Sequence, residues 1–416
     1  MKKQEAFIRT AARSTEARVV LATAILAAAA GLFAILTARW LGPSSRGSVV
    51  VFMTTSSFLM LVGSFGICTG SRVLLNGSPP LGLKGYLKQA RALSLFHLVT
   101  SSSVGLFVLA KTGGMPTLWV GAIFVPFAAV QLYSYFQREA LHGIGQHGTA
   151  MYGDVLSSTL QTAVVLLLHV THRLNLVSVC TVILLGALAQ TGFLANRLHA
   201  AKQRPPLAHF SLRELMRYSL PALVTTLGQA FVIRGDRLVL GLIAGATPVG
   251  LYGAAATFTE LLWLVPGSVA QVAFRRASVT GTGHAGTNVR KLTMLVTALA
   301  CLVLAAITRP LVMILLGPAY SQAVGMAYIL IAASLPMGSY QLNVAVLNGL
   351  GLLSHSGRAT TLGSVILLSG CLLTIPKYGA YGAAWSSLAA YTAMAGLAGW
   401  YVRREKAHDT TASIIS

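Results

Sequence analysis

Arg234, Asp236 and Arg237 stand in one long apolar run of the sequence, and Glu260 stands in the next. Guanidinium and carboxylate groups so placed can pair with each other, or they can serve an anionic substrate and a coupling ion inside a wet cavity. An Arg or Asp at the centre of a membrane helix costs at least about 2.5–3.5 kcal/mol on insertion scales, so such groups face protein or a water-filled space. Both readings stay open from the residues alone. With Gly245 and Gly250 as the outer ends of the two runs, Arg237 and Arg234 lie 8 and 11 residues down one limb and Glu260 lies 10 down the other. At 1.5 Å per residue these depths are about 12, 16 and 15 Å, so Glu260 is level with either arginine. At about 100° per residue Arg234 and Arg237 share a face while Asp236 lies roughly 200° from Arg234. Either Gly235 breaks the helix, or Asp236 faces another helix as a structural or proton-coupling carboxylate.

A second set of charges falls at the predicted cytoplasmic ends of spans. Arg72, Arg275 and Arg276 can make the first contact with a phosphate-bearing headgroup, since arginine offers a planar fork of donors and keeps its charge when partly desolvated. They can equally be anchors that snorkel to lipid headgroups. Asp154 suits a helix cap or a coupling role. Thr54, Thr55, Ser56, Thr225, Thr226, Gln229, Gln341 and Asn343 are polar positions within spans, able to bond sugar hydroxyls or to join helices. Metal chemistry is not indicated: His169 and His172 have no carboxylate or thiol close in sequence, and His97, His142 and His147 fall elsewhere in the topology. Cys68, Cys180, Cys301 and Cys371 show no CxxC spacing and read as small apolar fillers. No GxGxxG or Walker sequence occurs, which removes a nucleotide-driven mechanism in this chain. No cofactor is expected beyond a coupling ion, H+ or Na+.

The elements that must carry these residues are membrane helices. A chain of 416 residues that is 55% hydrophobic and 10% charged, with mean hydropathy +0.71, is not an ordinary soluble protein. Twelve spans are predicted at about 17–39, 48–70, 90–111, 115–137, 150–170, 175–197, 217–245, 248–274, 291–316, 322–350, 357–375 and 379–402. The formal charge of +22 has no aromatic-interleaved basic domain that would suit nucleic acid. Instead, with the N-terminus in the cytoplasm, 23 of the 31 Lys and Arg fall on the inner side and 6 on the outer. The positive-inside rule therefore places both termini in the cytoplasm. Residues 1–16 suit a basic interfacial helix, and 403–416 a cytoplasmic tail.

The chain also repeats itself. Gly42 and Gly47 recur as Gly245 and Gly250 at an offset of 203 residues, and Leu141-His-Gly-Ile-Gly145 is echoed by Leu347-Asn-Gly-Leu-Gly351 at an offset of 206. The first offset carries Arg72 onto Arg275. A duplicated six-span unit has the same orientation in both copies, which predicts two parallel six-helix repeats, 17–197 and 217–402, joined by a basic linker at 198–216 whose Pro205 and Pro206 stop the helix.

At this point a family resemblance emerges. Ala38-Arg-Trp-Leu-Gly-Pro43 with a small-residue span after it, Arg217-Tyr-Ser-Leu-Pro221, Asp236-Arg-Leu-Val-Leu-Gly241, Val249-Gly-Leu-Tyr252 and Leu315-Leu-Gly-Pro-Ala-Tyr320 resemble the Wzx-type polysaccharide flippases, the oligosaccharidyl-lipid branch of the MATE-like MOP exporter superfamily. The resemblance implies an all-α, MATE-like fold of two six-helix bundles in the bacterial inner membrane. It also implies a cargo, undecaprenyl-pyrophosphate-linked oligosaccharide moved to the periplasmic leaflet by alternating access, with a polysaccharide polymerase and glycosyltransferases as partners. Two other classes compete. A cation-coupled drug exporter of the same fold wants acidic groups in its cavity, whereas the spans here match their few carboxylates with arginines. A polysaccharide-assembly enzyme wants a large outer loop, and the predicted outer loops have only about 2–8 residues, ordinary short connections.

Overall fold

The chain turns where glycine permits it. In the computed structural model Gly42 (φ 76°, ψ 171°) and Gly245 (φ 84°, ψ −175°) hold one and the same conformation, and Gly317 (φ 95°, ψ 174°) repeats it. That region of backbone space is essentially closed to residues with a Cβ. The structure describes residues 2–77, 80–113, 118–201, 208, 210–280 and 287–415.

Among them the helices are α1 (Lys2–Gly63), α2 (Ile67–Leu75), α3 (Leu83–Thr100), α4 (Leu106–Lys111), α5 (Leu118–Gly143), α6 (His147–Val170) and α7 (Leu176–Ala200). These are followed by α8 (Leu212–Ala244), α9 (Ala246–Thr259), α10 (Leu264–Thr280), α11 (Thr287–Leu315), α12 (Ala323–Gly349), α13 (Leu353–Tyr378) and α14 (Ala380–Ile415). Nine stretches of the described residues are long and apolar enough to cross a membrane. One of them, Ala22–Gly63, is 42 residues long, about 63 Å of helix and twice a bilayer core, and its kink at Gly42 divides it into the two spans expected there. Two expected spans, α8 and α14, fall outside the nine: charge dilutes α8, and Gly, Ser and ring residues dilute α14. On α11 the leucines at 292, 295, 299 and 302 are all more than half exposed, an apolar outer stripe that suits lipid rather than water.

Within spans, side chains bend the regular pattern. α3 continues into α4 through a π turn, Ser101–Gly105, where Ser101, Ser102 and Ser103 each donate to the carbonyl four residues back. Of the interfacial segment expected at 1–16, residues 2–16 are helical and continuous with the first span; the side chains on which that expectation rests lie outside the described residues. The same is true of the tail beyond 405. Linker residues 202–207 and 209 also lie outside them, but Ala208 bridges to Leu81, and the Phe210 carbonyl accepts from Gln89 Nε2 at 2.9 Å. Ser211 and Glu214 then form a capping box that starts α8 and holds the exposed Glu214 carboxyl below its usual range.

Packing separates two units, Met1–Leu41 with Phe52–Leu227, and Gly42–Val51 with Gly228–Ser416. The first is centred on Tyr86, Leu132, Phe136, Leu141, Leu194 and Leu215, all buried. The second contains a reciprocal crossing of two repeated glycine turns. A Cβ on Gly47 would overlap the Ala246 carbonyl, and a Cβ on Gly250 would overlap the Pro43 carbonyl. The offset of 203 that relates Gly47 to Gly250 also relates Pro43 to Ala246, so each copy of the turn packs against the other with backbone on backbone, as small-residue helix crossings do.

Candidate functional site: an ion pair and a polar cavity in the second unit

The site begins with a helix that does not break. α8 runs through Gly235 without interruption, so Asp236 points away from the face that Arg234 and Arg237 share. Asp236 is 2% exposed and turns toward α9 and α14, where its carboxylate accepts from the Tyr252 hydroxyl, from Ser387 Oγ at 3.0 Å and from the Arg237 backbone N–H at 2.7 Å. One turn back, the Tyr391 hydroxyl donates to the Val232 carbonyl at 3.2 Å. Three donors on one carboxylate are what a buried charge needs, and they make Asp236 the hub joining three helices.

Arg237 takes another direction. Its side chain is 12% exposed and pairs through Nη2 with Glu260, which is 30% exposed. Glu260 owes its position to Pro266: lacking an N–H, the proline cannot bond the Leu262 carbonyl, and the α9–α10 span passes through a 3-10 turn at Glu260–Trp263. Of the two arginines level with Glu260, the nearer to Gly245 is thus the partner. Arg234 is exposed, and among the described residues it enters none of the ion pairs.

A cavity of about 10 Å³ adjoins the Arg237–Glu260 pair, lined also by Ile233, Trp263 and Tyr391; that is about the space of one water and cannot admit a sugar. Ile233 also lines a second cavity of about 430 Å³, within the ~300–1,000 Å³ range of small-molecule sites. The larger space lies between α8, α10, α12 and α14 and is lined by the side-chain amides of Gln229, Gln271, Gln341 and Asn348, with no charged residue in its wall among the described residues. Gln229 and Gln341 were among the polar candidates of the sequence; Gln271 and Asn348 were not. The remaining candidates sit elsewhere: Thr54, Thr55 and Ser56 are buried, with Ser56 donating to Gln131, while Thr225 and Thr226 bond carbonyls of their own helix and Asn343 is buried against Ser339.

The first unit joins two residues that the sequence left apart. Arg72 on α2 is 48% exposed and pairs with Glu139 on α5, which is 2% exposed. Arg138 lies 3.5 Å from Glu139 and 3.4 Å from Asp154 on α6, and Asp154 accepts from Gln190 Nε2 on α7 at 2.5 Å. Arg72 and Asp154 are therefore the ends of one chain of charges. Glu139 is absent from the sequence candidates because it stands beside Arg138, two residues past the predicted end of its span at 137. Arg275 and Arg276 lie exposed on the last turns of α10 and belong to neither network. No group of three metal-ligating side chains occurs among the described residues; His169 stacks on Trp40, and His142 and His147 meet at 3.0 Å across the α5–α6 turn.

Comparison with known proteins places this geometry. The profile of the family described as "Polysaccharide biosynthesis protein" matches residues 109–325, just over half the chain. No curated protein matches the sequence. Among solved structures, the lipid II flippase MurJ in an inward closed conformation has a TM-score of 0.75 at 15% identity, over 92% of this chain and 87% of that one. An inward-facing multidrug resistance MATE family transporter of the MOP superfamily has a TM-score of 0.73 at 14% identity, over 93% and 96% of the two chains. Its outward-facing counterpart gives 0.62 at 15% identity, over 94% and 96%. The protein is a membrane-spanning member of the polysaccharide biosynthesis protein family, built on the fold of the MurJ and MATE transporters.

Proposed function

We propose that the protein is a flippase that moves an undecaprenyl-pyrophosphate-linked oligosaccharide from the cytoplasmic to the periplasmic leaflet of a bacterial inner membrane by alternating access, with both termini in the cytoplasm. The observation that carries this reading is the charge balance of the membrane helices. Glu139, Asp154 and Glu260 are each taken up by an arginine, and Asp236 by hydroxyl and backbone donors, while Arg234 stays exposed on α8. Membrane helices whose acids are neutralised, and which carry an exposed guanidinium outside those pairs, favour an anionic headgroup. The same balance disfavours a cationic drug, since no carboxylate lines the larger cavity. Sugars for such a lipid come from glycosyltransferases on the cytoplasmic side, and a polymerase on the far side receives it.

Arg234→Ala is expected to insert normally and to lower surface glycan export by about tenfold or more, since hydrogen bonds to charged groups contribute about 1.5–3 kcal/mol. Arg234→Lys should recover only part of the loss, because a point charge replaces the forked donor. Normal export by Arg234→Ala at equal protein level would remove Arg234 from the site.

A further inference from the structure

We propose that the 430 Å³ cavity of the second unit is a subsite for an uncharged N-acetylated sugar ring, a proposal that rests on the flippase reading and names the part of the cargo held there. The chemistry of the wall selects the ligand. Four amides and no charge face the space, which suits hydroxyl and acetamido groups and gives a carboxylated or phosphorylated sugar no counter-ion. Gln341 Oε1 is buried without a hydrogen-bond partner among the described residues, and a buried acceptor left so is destabilising until a donor arrives. A sugar hydroxyl or an acetamido N–H is such a donor. Gly267 lines the cavity beside that oxygen, where a Cβ would come to 3.5 Å from it.

Asn348 is already fixed in orientation. Its Oδ1 accepts from Ser356 Oγ at 2.7 Å, which leaves its NH2 as the group to offer. The Tyr340 hydroxyl is held by Thr360 at 2.7 Å, so the tyrosine contributes its ring rather than its oxygen. Met337 and Met394 are buried in the wall and offer an adaptable apolar surface to an acetyl methyl, while Phe274 is an exposed ring at the rim for the C–H face of a sugar. Donor, acceptor, methyl-sized apolar surface and aromatic face thus occur together in one space of suitable volume.

The test uses the full chain in lipid nanodiscs with Ala345→Cys as reporter, a lining position that leaves every amide in place; the four native cysteines are buried. Maleimide labelling of the new thiol is followed with methyl N-acetylglucosaminide or methyl glucuronide at equal concentration. Several-fold slower labelling with the N-acetylated glycoside alone is expected, and Gln341→Leu should weaken that protection about tenfold. Equal protection by the two glycosides, or none by either, would overturn the subsite. Saturation-transfer NMR on the unaltered chain gives the same discrimination where the reporter variant fails to fold. Glycan flipping without sugar protection would remove the subsite and keep the flippase; sugar protection without flipping would do the reverse.

Discussion

Gly250→Val is expected to prevent accumulation of a stably folded protein, and Gly250→Ala to lower its melting temperature sharply. A Cβ at this position overlaps the Pro43 carbonyl and lies 2.9 Å from the Gly47 nitrogen, and backbone cannot swing aside as a side chain can. Overpacking of this kind costs about 1–3 kcal/mol or more, a large part of a total stability of about 5–15 kcal/mol. The same holds for Gly47→Ala, which meets the Ala246 carbonyl. Gly396→Ala supplies the control: that glycine lies within α14 with open space around its missing Cβ, and alanine there should be neutral or stabilising by about 0.5–1 kcal/mol. Thermal unfolding of the purified proteins in one detergent measures all three. A melting temperature for Gly250→Ala equal to that of Gly396→Ala would contradict the reciprocal backbone crossing.

Arg237→Ala should be the most damaging single change among the intramembrane charges. Removing one partner of a fully buried pair costs about 3–5 kcal/mol because the other charge stays behind; here Glu260, at the 3-10 turn, is 30% exposed, so the loss is expected at or below the lower end of that range. Two outcomes then separate architecture from transport. A double Arg237→Met, Glu260→Met protein should regain most of the stability, since well-packed apolar residues replace such pairs at little cost. It should not regain export if the pair also serves the substrate or the conformational cycle. Glu260→Gln should likewise impair transport more than insertion, and Arg237→Lys should only partly replace the arginine. Full export by the double methionine variant would make the pair purely structural.

The sequence made the architecture readable because membrane helices announce themselves by length and hydropathy, and all twelve expected spans correspond to helices. The glycine repeat was equally visible as spacing. What spacing could not reveal was that its two copies pack against each other, since partners 203 residues apart leave no local trace. Depth along a hairpin makes Glu260 level with either Arg234 or Arg237, between which the fold selects Arg237, and helical phase sets Asp236 apart from Arg234. Its donors were not readable: Tyr252 lies within a motif that the family resemblance marked, but Ser387 is an ordinary serine 151 residues away. Glu139 was hidden because the predicted span ends at residue 137, two residues before it. Gln271 and Asn348 look like any polar residue in a membrane helix until four helices close around one space.

The most direct measurement is flipping by the purified protein in proteoliposomes that carry a fluorescent undecaprenyl-pyrophosphate oligosaccharide in one leaflet, read by loss of access to a membrane-impermeant quencher. Unaltered protein should equilibrate the glycolipid across the bilayer far faster than empty liposomes, Arg234→Ala should do so about tenfold more slowly, and a cationic dye should stay where it was loaded. Transport of the dye with no movement of the glycolipid would contradict the account.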